Sequence, residues 1–161
     1  MLRRAIFATV ASFALAGPGF AQTTDMPFAL DWQFEGPAAP YFMAVEKGHF
    51  EAEGLSVEIT PGQGSLDAIP KVATGAYPVG FADMASLIKF LDQNQEAPVT
   101  AVMMFYDKPA FSIVGRKSLG IENPKDLEGR VLGAPPPDGA WAQFPVFAEA
   151  NDIDVSKVTV E

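Results

Sequence analysis

The amino-acid sequence predicts an α/β fold built around a parallel sheet, and three observations carry that expectation. From Met26 onward, short apolar runs of strand length alternate with segments of helical periodicity, the pattern of a parallel sheet covered by helices. Gly48, Pro61-Gly62 and Gly75 punctuate those segments, as turn residues between elements do. The 161 residues are 48% apolar and 19% charged, a composition that buries a core and argues against disorder.

Taken in order, Phe28 to Trp32 reads as the first strand, and a loop runs from Gln33 to Pro37. A helix through Ala39–Lys47 stops at Gly48. Leu55 to Thr60 alternates apolar and polar residues, as a half-buried strand does, and Pro61-Gly62 closes it. Ser65 stands where an N-cap belongs for a helix over Leu66–Thr74, which Gly75 ends. Val79 to Ala82 is a short third strand, and Asp83 precedes a third helix over Met84–Leu91. Two further apolar runs, Val99 to Phe105 and Ala110 to Val114, flank a turn at Asp107-Lys108-Pro109. Asn123-Pro124 opens a short helix, with Pro near its first position. Arg130–Ala134 is another strand, Asp138 stands before a last helix reaching about Ala150, and Lys157 to Glu161 begins a strand. A terminal half-strand leaves a sheet face uncovered, so the expectation is of a truncated chain.

The first residues have a different character. Arg3 and Arg4 precede an apolar run from Ala5 to Ala16, Gly17-Pro18 breaks it, and Gly19-Phe20-Ala21 supplies small residues at a cleavage site. That order is a secretory signal over residues 1–21, and the run is shorter than the ~20 residues a permanent membrane helix needs. The mature chain is expected to start at Gln22, in the periplasm, without inserting into the membrane. Losing Arg3 and Arg4 takes the net charge from −9 to −11. So acidic a chain argues against nucleic acid or anionic lipid as partner. Cys is absent and His49 is the single histidine. Disulfides, thiolate catalysis and Cys- or His-rich metal sites are thereby excluded, and no cofactor is expected.

Ligands of open α/β sheets sit beyond the carboxyl ends of the strands, which makes four junctions candidates: Trp32 to Glu35, Gly62 to Ser65, Asp83-Met84 and Ala134 to Trp141. Trp32 and Phe34 offer aromatic faces, or else pack in the core. Gln63, Gly64 and Ser65 offer backbone N–H groups at a helix start, or only a tight turn. Asp83, and Asp138 with Gly139 and Trp141, serve as caps or as ligand contacts. Pro135-Pro136-Pro137 stiffens a loop. The carboxylate of Glu35, about 4 Å from an anion, repels it by about 4 kcal/mol at an effective dielectric of ~20. A helix N-terminus returns only ~0.3–1 kcal/mol. With Lys108 the nearest basic candidate, a neutral or cationic planar solute fits better than a small anion.

Five segments also resemble a known family. They are Leu30-Asp31-Trp32; Ala44 to Phe50 with Glu53-Gly54-Leu55; Pro61 to Ser65 with Val72 to Gly75; Gly80 to Asp83; and Gly120-Ile121 with Pro124 to Arg130. In order and spacing they resemble the solute-binding proteins of ABC importers for thiamine-pyrimidine precursors, sulfonates, taurine and nitrate. The resemblance implies a type II periplasmic-binding-protein lobe, residues 22–115, and the start of a second α/β lobe, residues 116–161. The two lobes would close on a solute and deliver it to a permease with its ATPase. The thiamine-precursor branch continues Asp-Trp with Pro-Asn and then Asn-His. Here Gln33 to Ala38 contains neither Asn nor His, so that specificity does not carry over. Two rivals stand beside the binder. One is a non-functional partial fragment. The other is an enzyme resembling the eukaryotic pyrimidine-precursor synthases, whose cysteine-rich motif this chain lacks; no catalytic residue is assigned.

Overall fold

In a computed structural model the described residues are 23–108 and 111–161. The signal segment, and Pro109 and Ala110 of the predicted turn and second apolar run, lie outside them. Strand β1 (Thr24–Ala29) is the middle strand of a parallel sheet ordered β2-β1-β3. It pairs along its whole length with β2 (Leu55–Thr60), from Thr24 opposite Leu55 to Ala29 opposite Thr60. β3 (Val79–Gly80) meets it only at Phe28 and Ala29.

That short third strand explains how Pro27 sits within a central strand. The N–H groups of Thr24 and Leu30 donate toward the β2 side, so by alternation the nitrogen of Pro27 faces the other side, where β3 has not yet begun. A missing donor costs nothing there. β1 therefore starts four residues before the predicted Phe28 and ends at Ala29, and Asp31-Trp32 belong to the loop beyond it.

Four helices accompany this sheet: α1 (Ala39–Glu46), α2 (His49–Ala52), α3 (Ser65–Ala73) and α4 (Met84–Gln93). Gly48, at φ +69°, turns the chain between the first two, a left-handed conformation that suits glycine. The apolar runs Val99–Phe105 and, in its described part, Phe111–Val114 form neither strand nor helix. A strand needs a neighbour for its N–H and C=O groups, and none lies alongside among the described residues. Val102 and Val114 are 83% and 91% exposed as a result.

A second, smaller α/β unit follows. β4 (Val131–Leu132) and β5 (Thr159–Val160) pair in parallel, with a 3₁₀ turn over Pro124–Leu127 and α5 (Gly139–Ala150) around them. Leu127, Phe144, Ala148 and Ile153 are its buried core. Phe144 and Ala148, four apart on α5, fall on one helix face, and Trp141 extends that face by stacking on Phe144 at 5.2 Å.

Candidate functional site

The loops at the carboxyl ends of β1, β2 and β3 meet α5 at one hub, the side chain of Ser65. This serine is buried and is the first residue of α3, but its hydroxyl does not cap that helix. It accepts the Asp83 N–H at 2.9 Å and donates to Asp31 Oδ2 at 3.5 Å, tying the β3 and β1 loops together. Asp83 caps α4 as expected, its Oδ2 accepting the Ser86 N–H at 2.7 Å. Its Oδ1 accepts from Gln143 Nε2 of α5 at 3.1 Å.

Close backbone approach makes this junction possible. A Cβ on Gly62 would lie 2.1 Å from the Leu30 carbonyl oxygen, and one on Gly64 only 2.0 Å from that of Pro137. Gly64 also adopts φ +142°, which L side chains rarely reach. The Pro137 carbonyl thereby accepts the Leu66 N–H at 3.1 Å, satisfying a free donor of the first turn of α3. Gly139 packs in the same way, where a Cβ would stand 3.1 Å from Ser65 Oγ and 3.2 Å from Phe111. Asp138 caps α5 through the Ala140 N–H at 3.1 Å.

Beside this hub lies a cavity of about 1020 Å³, at the upper end of the ~300–1,000 Å³ range of small-molecule sites. Tyr41, Phe81, Phe105 and Tyr106 form one wall, with ring centroids 5.5–6.1 Å apart, inside the ~4.5–7 Å range of aromatic pairs. Burial, with Tyr106 and Asp31 adding to it, pushes the Tyr41 phenol up to about 12. It therefore stays a neutral hydroxyl. Among the described residues five acids line the cavity, Asp31, Glu35, Asp83, Asp107 and Asp138, against one base, Lys108. Burial holds the Asp31 carboxyl above its ordinary value. Asp138 and Asp83 push it further up, while its own amide and the Ser65 hydroxyl pull it down.

Of the residues expected from sequence to touch a ligand, Trp32, Glu35, Gly64, Ser65, Asp83 and Asp138 line the cavity. The other four do not. Phe34 is 51% exposed and packs edge-on against Phe42 at 4.9 Å. Gln63 is exposed, with its N–H donating to Asp67 Oδ2 at 3.2 Å. Gly139 is buried in the hub, and Trp141, partly buried, packs against the core of the second unit. Asp31, the aromatic wall and Gln143 were not expected. Asp31 adjoins Trp32 and was within reach of the junction rule; Gln143, 60 residues from Asp83, was not. Among the described residues no group of three or more His, Cys, Asp and Glu is placed to hold a metal ion, and no helix is long and apolar enough to cross a membrane.

The cavity, aromatic and acidic and set beyond the strand ends of a parallel sheet, lies where small-molecule sites of such sheets lie. The family model described as NMT1/THI5 like matches residues 37–160, and the chain belongs to that family. Its relatives include a formylaminopyrimidine-binding protein from Halalkalibacterium halodurans, 28% identical over 66% of this chain and 32% of that protein. The riboflavin-binding protein RibY of Chloroflexus aurantiacus is 29% identical over 60% of this chain and 28% of its own length. A 4-amino-5-hydroxymethyl-2-methylpyrimidine phosphate synthase of Aspergillus parasiticus is 29% identical over 69% of this chain and 32% of the synthase. The chain thus spans about a third of the length of these curated relatives.

Proposed function

We propose that this chain belongs to an extracytoplasmic solute-binding component of an ABC importer. It captures a small planar, neutral or cationic solute, such as a pyrimidine-like compound, and hands it to a permease with its ATPase. In this reading residues 1–21 are a secretory signal that sends the protein to the periplasm. Residues 22–115 are the first lobe, and 116–161 are the part of a second lobe that this chain supplies. The observation that carries the reading is the cavity itself: an aromatic wall for a flat ring, acids in excess of bases, and a position beyond the carboxyl ends of a parallel sheet. The names of the bacterial relatives, a formylaminopyrimidine binder and a riboflavin binder, point to the same solute class. Titrating the chain with a panel of aminopyrimidines and flavins, followed by tryptophan fluorescence, tests it. Saturable quenching supports the reading, and a flat response across the panel removes it.

The synthase relatives favour a second reading, an enzyme that makes a pyrimidine phosphate. Against it, the chain has no Cys, and His49 is exposed on α2 and does not line the cavity. Mass spectrometry of the small molecules present after incubation separates the two: a binder returns only the solute supplied, and a synthase yields a pyrimidine phosphate that was not added.

A further inference from the structure

We infer that Asp31 is the specificity-determining residue of the cavity, accepting paired N–H donors of a planar cationic solute such as an amidinium or a protonated aminoheterocycle. The inference rests on the binding reading above and names the chemistry that reading leaves open.

The assignment follows from which acceptors are already spent. Both oxygens of Asp83 are engaged, one by the Ser86 N–H and one by Gln143. Asp138 is tied to the start of α5 by the Ala140 N–H on its Oδ1, and Glu35 and Asp107 are exposed to solvent. A carboxylate offers about four lone-pair sites. From the other described residues Asp31 receives a single hydrogen bond, the long 3.5 Å contact from Ser65. It is part-buried, lines the cavity, and stands in the same cavity as the Tyr41 and Phe105 rings, themselves 5.5 Å apart. Its neighbours Asp83 and Asp138 are also acids, and among the described residues Lys108 is the one base on the lining and no base forms an ion pair with Asp31. Burial pushes its carboxyl up, as expected of an acid whose counter-charge arrives with the ligand. A flat cation between the aromatic wall and Asp31 gains charge-assisted hydrogen bonds and cation–π contact together.

Benzamidine and its neutral isostere benzamide are the probes, titrated into the full chain up to millimolar concentration by calorimetry and tryptophan fluorescence. The wild type is expected to prefer benzamidine by at least about tenfold, the worth of a hydrogen bond to a charged group. Asp31→Asn, checked for folding by thermal unfolding, is expected to bind the two equally. Asp92→Asn removes one charge at an exposed position off the cavity lining and is expected to keep the preference. If the wild type binds both probes equally, or if Asp31→Asn still prefers benzamidine, the assignment to Asp31 falls and the binding reading stands. If the wild type binds neither probe, the assignment to Asp31 falls, and the aminopyrimidine and flavin panel alone decides the binding reading.

Discussion

Replacing Gly64 with alanine puts a methyl group where the structure leaves no room for one. The added Cβ would lie 2.0 Å from the Pro137 carbonyl oxygen and 2.4 Å from its carbon, and these are backbone atoms that no side-chain rotation can clear. The residue also holds φ +142°, a region that costs a non-glycine residue about 1–3 kcal/mol. Relieving the overlap means moving Pro137 away from α3. That lengthens the 3.1 Å Leu66–Pro137 hydrogen bond and disturbs the 3.1 Å Gln143–Asp83 bond beyond it, each worth about 0.5–1.5 kcal/mol net. The expected loss is therefore about 2–6 kcal/mol, a fall of about 1–3 M in the urea midpoint at a slope near ~2 kcal/mol/M. Gly36→Ala is the control, because none of the described residues lies within 4 Å of its added Cβ. It is expected to hold or slightly raise stability. A Gly64→Ala stability within about 0.5 kcal/mol of wild type, a midpoint shift under about 0.25 M at that slope, would refute the close approach on which the hub depends.

Three further outcomes are expected. Trp32→Ala should weaken binding of a planar solute more than tenfold, through lost stacking of about 0.5–1.5 kcal/mol and lost burial. Trp32 is half-buried in a loop, so the loss of stability should stay below the ~3–5 kcal/mol of a core tryptophan; thermal unfolding of the apo variant checks this, and a larger drop would mark it as core. Asp31→Asn should stabilise the apo protein at neutral pH. Burial raises the Asp31 carboxyl in the folded state above 3.8, so the folded form binds the extra proton and loses stability as pH rises through that window. The gain from Asn should fade below pH ~3.8, where both forms are neutral, and an Asn variant less stable at pH 7 would contradict the sign. N-terminal sequencing of the exported protein should begin at Gln22, and a soluble cytoplasmic pool that keeps Met1 would exclude the signal.

Much of the fold was legible because local chemistry set it. The polar–apolar alternation of Leu55–Thr60 gave β2 at its full observed length. Asp83 and Asp138, each just before an apolar helical run, proved to be true caps, since a cap bonds two or three residues along the chain. β1 spans Thr24–Ala29 rather than Phe28–Trp32, and a proline inside it is tolerated through the short reach of β3, which the local sequence does not show. Ser65 was read as a cap because its partners, Asp31 and Asp83, lie 34 and 18 residues away. Trp141 was expected at the cavity, although its i, i+3 spacing with Phe144 already marked the buried face of α5. The cavity's aromatic wall draws on α1, the β3 end and the unpaired run at Phe105-Tyr106, a convergence that no local pattern records.

The most direct test of solute capture is native mass spectrometry of the chain purified without denaturation from a cell extract. The account predicts a stoichiometric adduct of a small planar compound, lost without chemical change on unfolding and much reduced in Trp32→Ala. A protein carrying only its own mass, with no adduct even after incubation with excess aminopyrimidines and flavins, would contradict it.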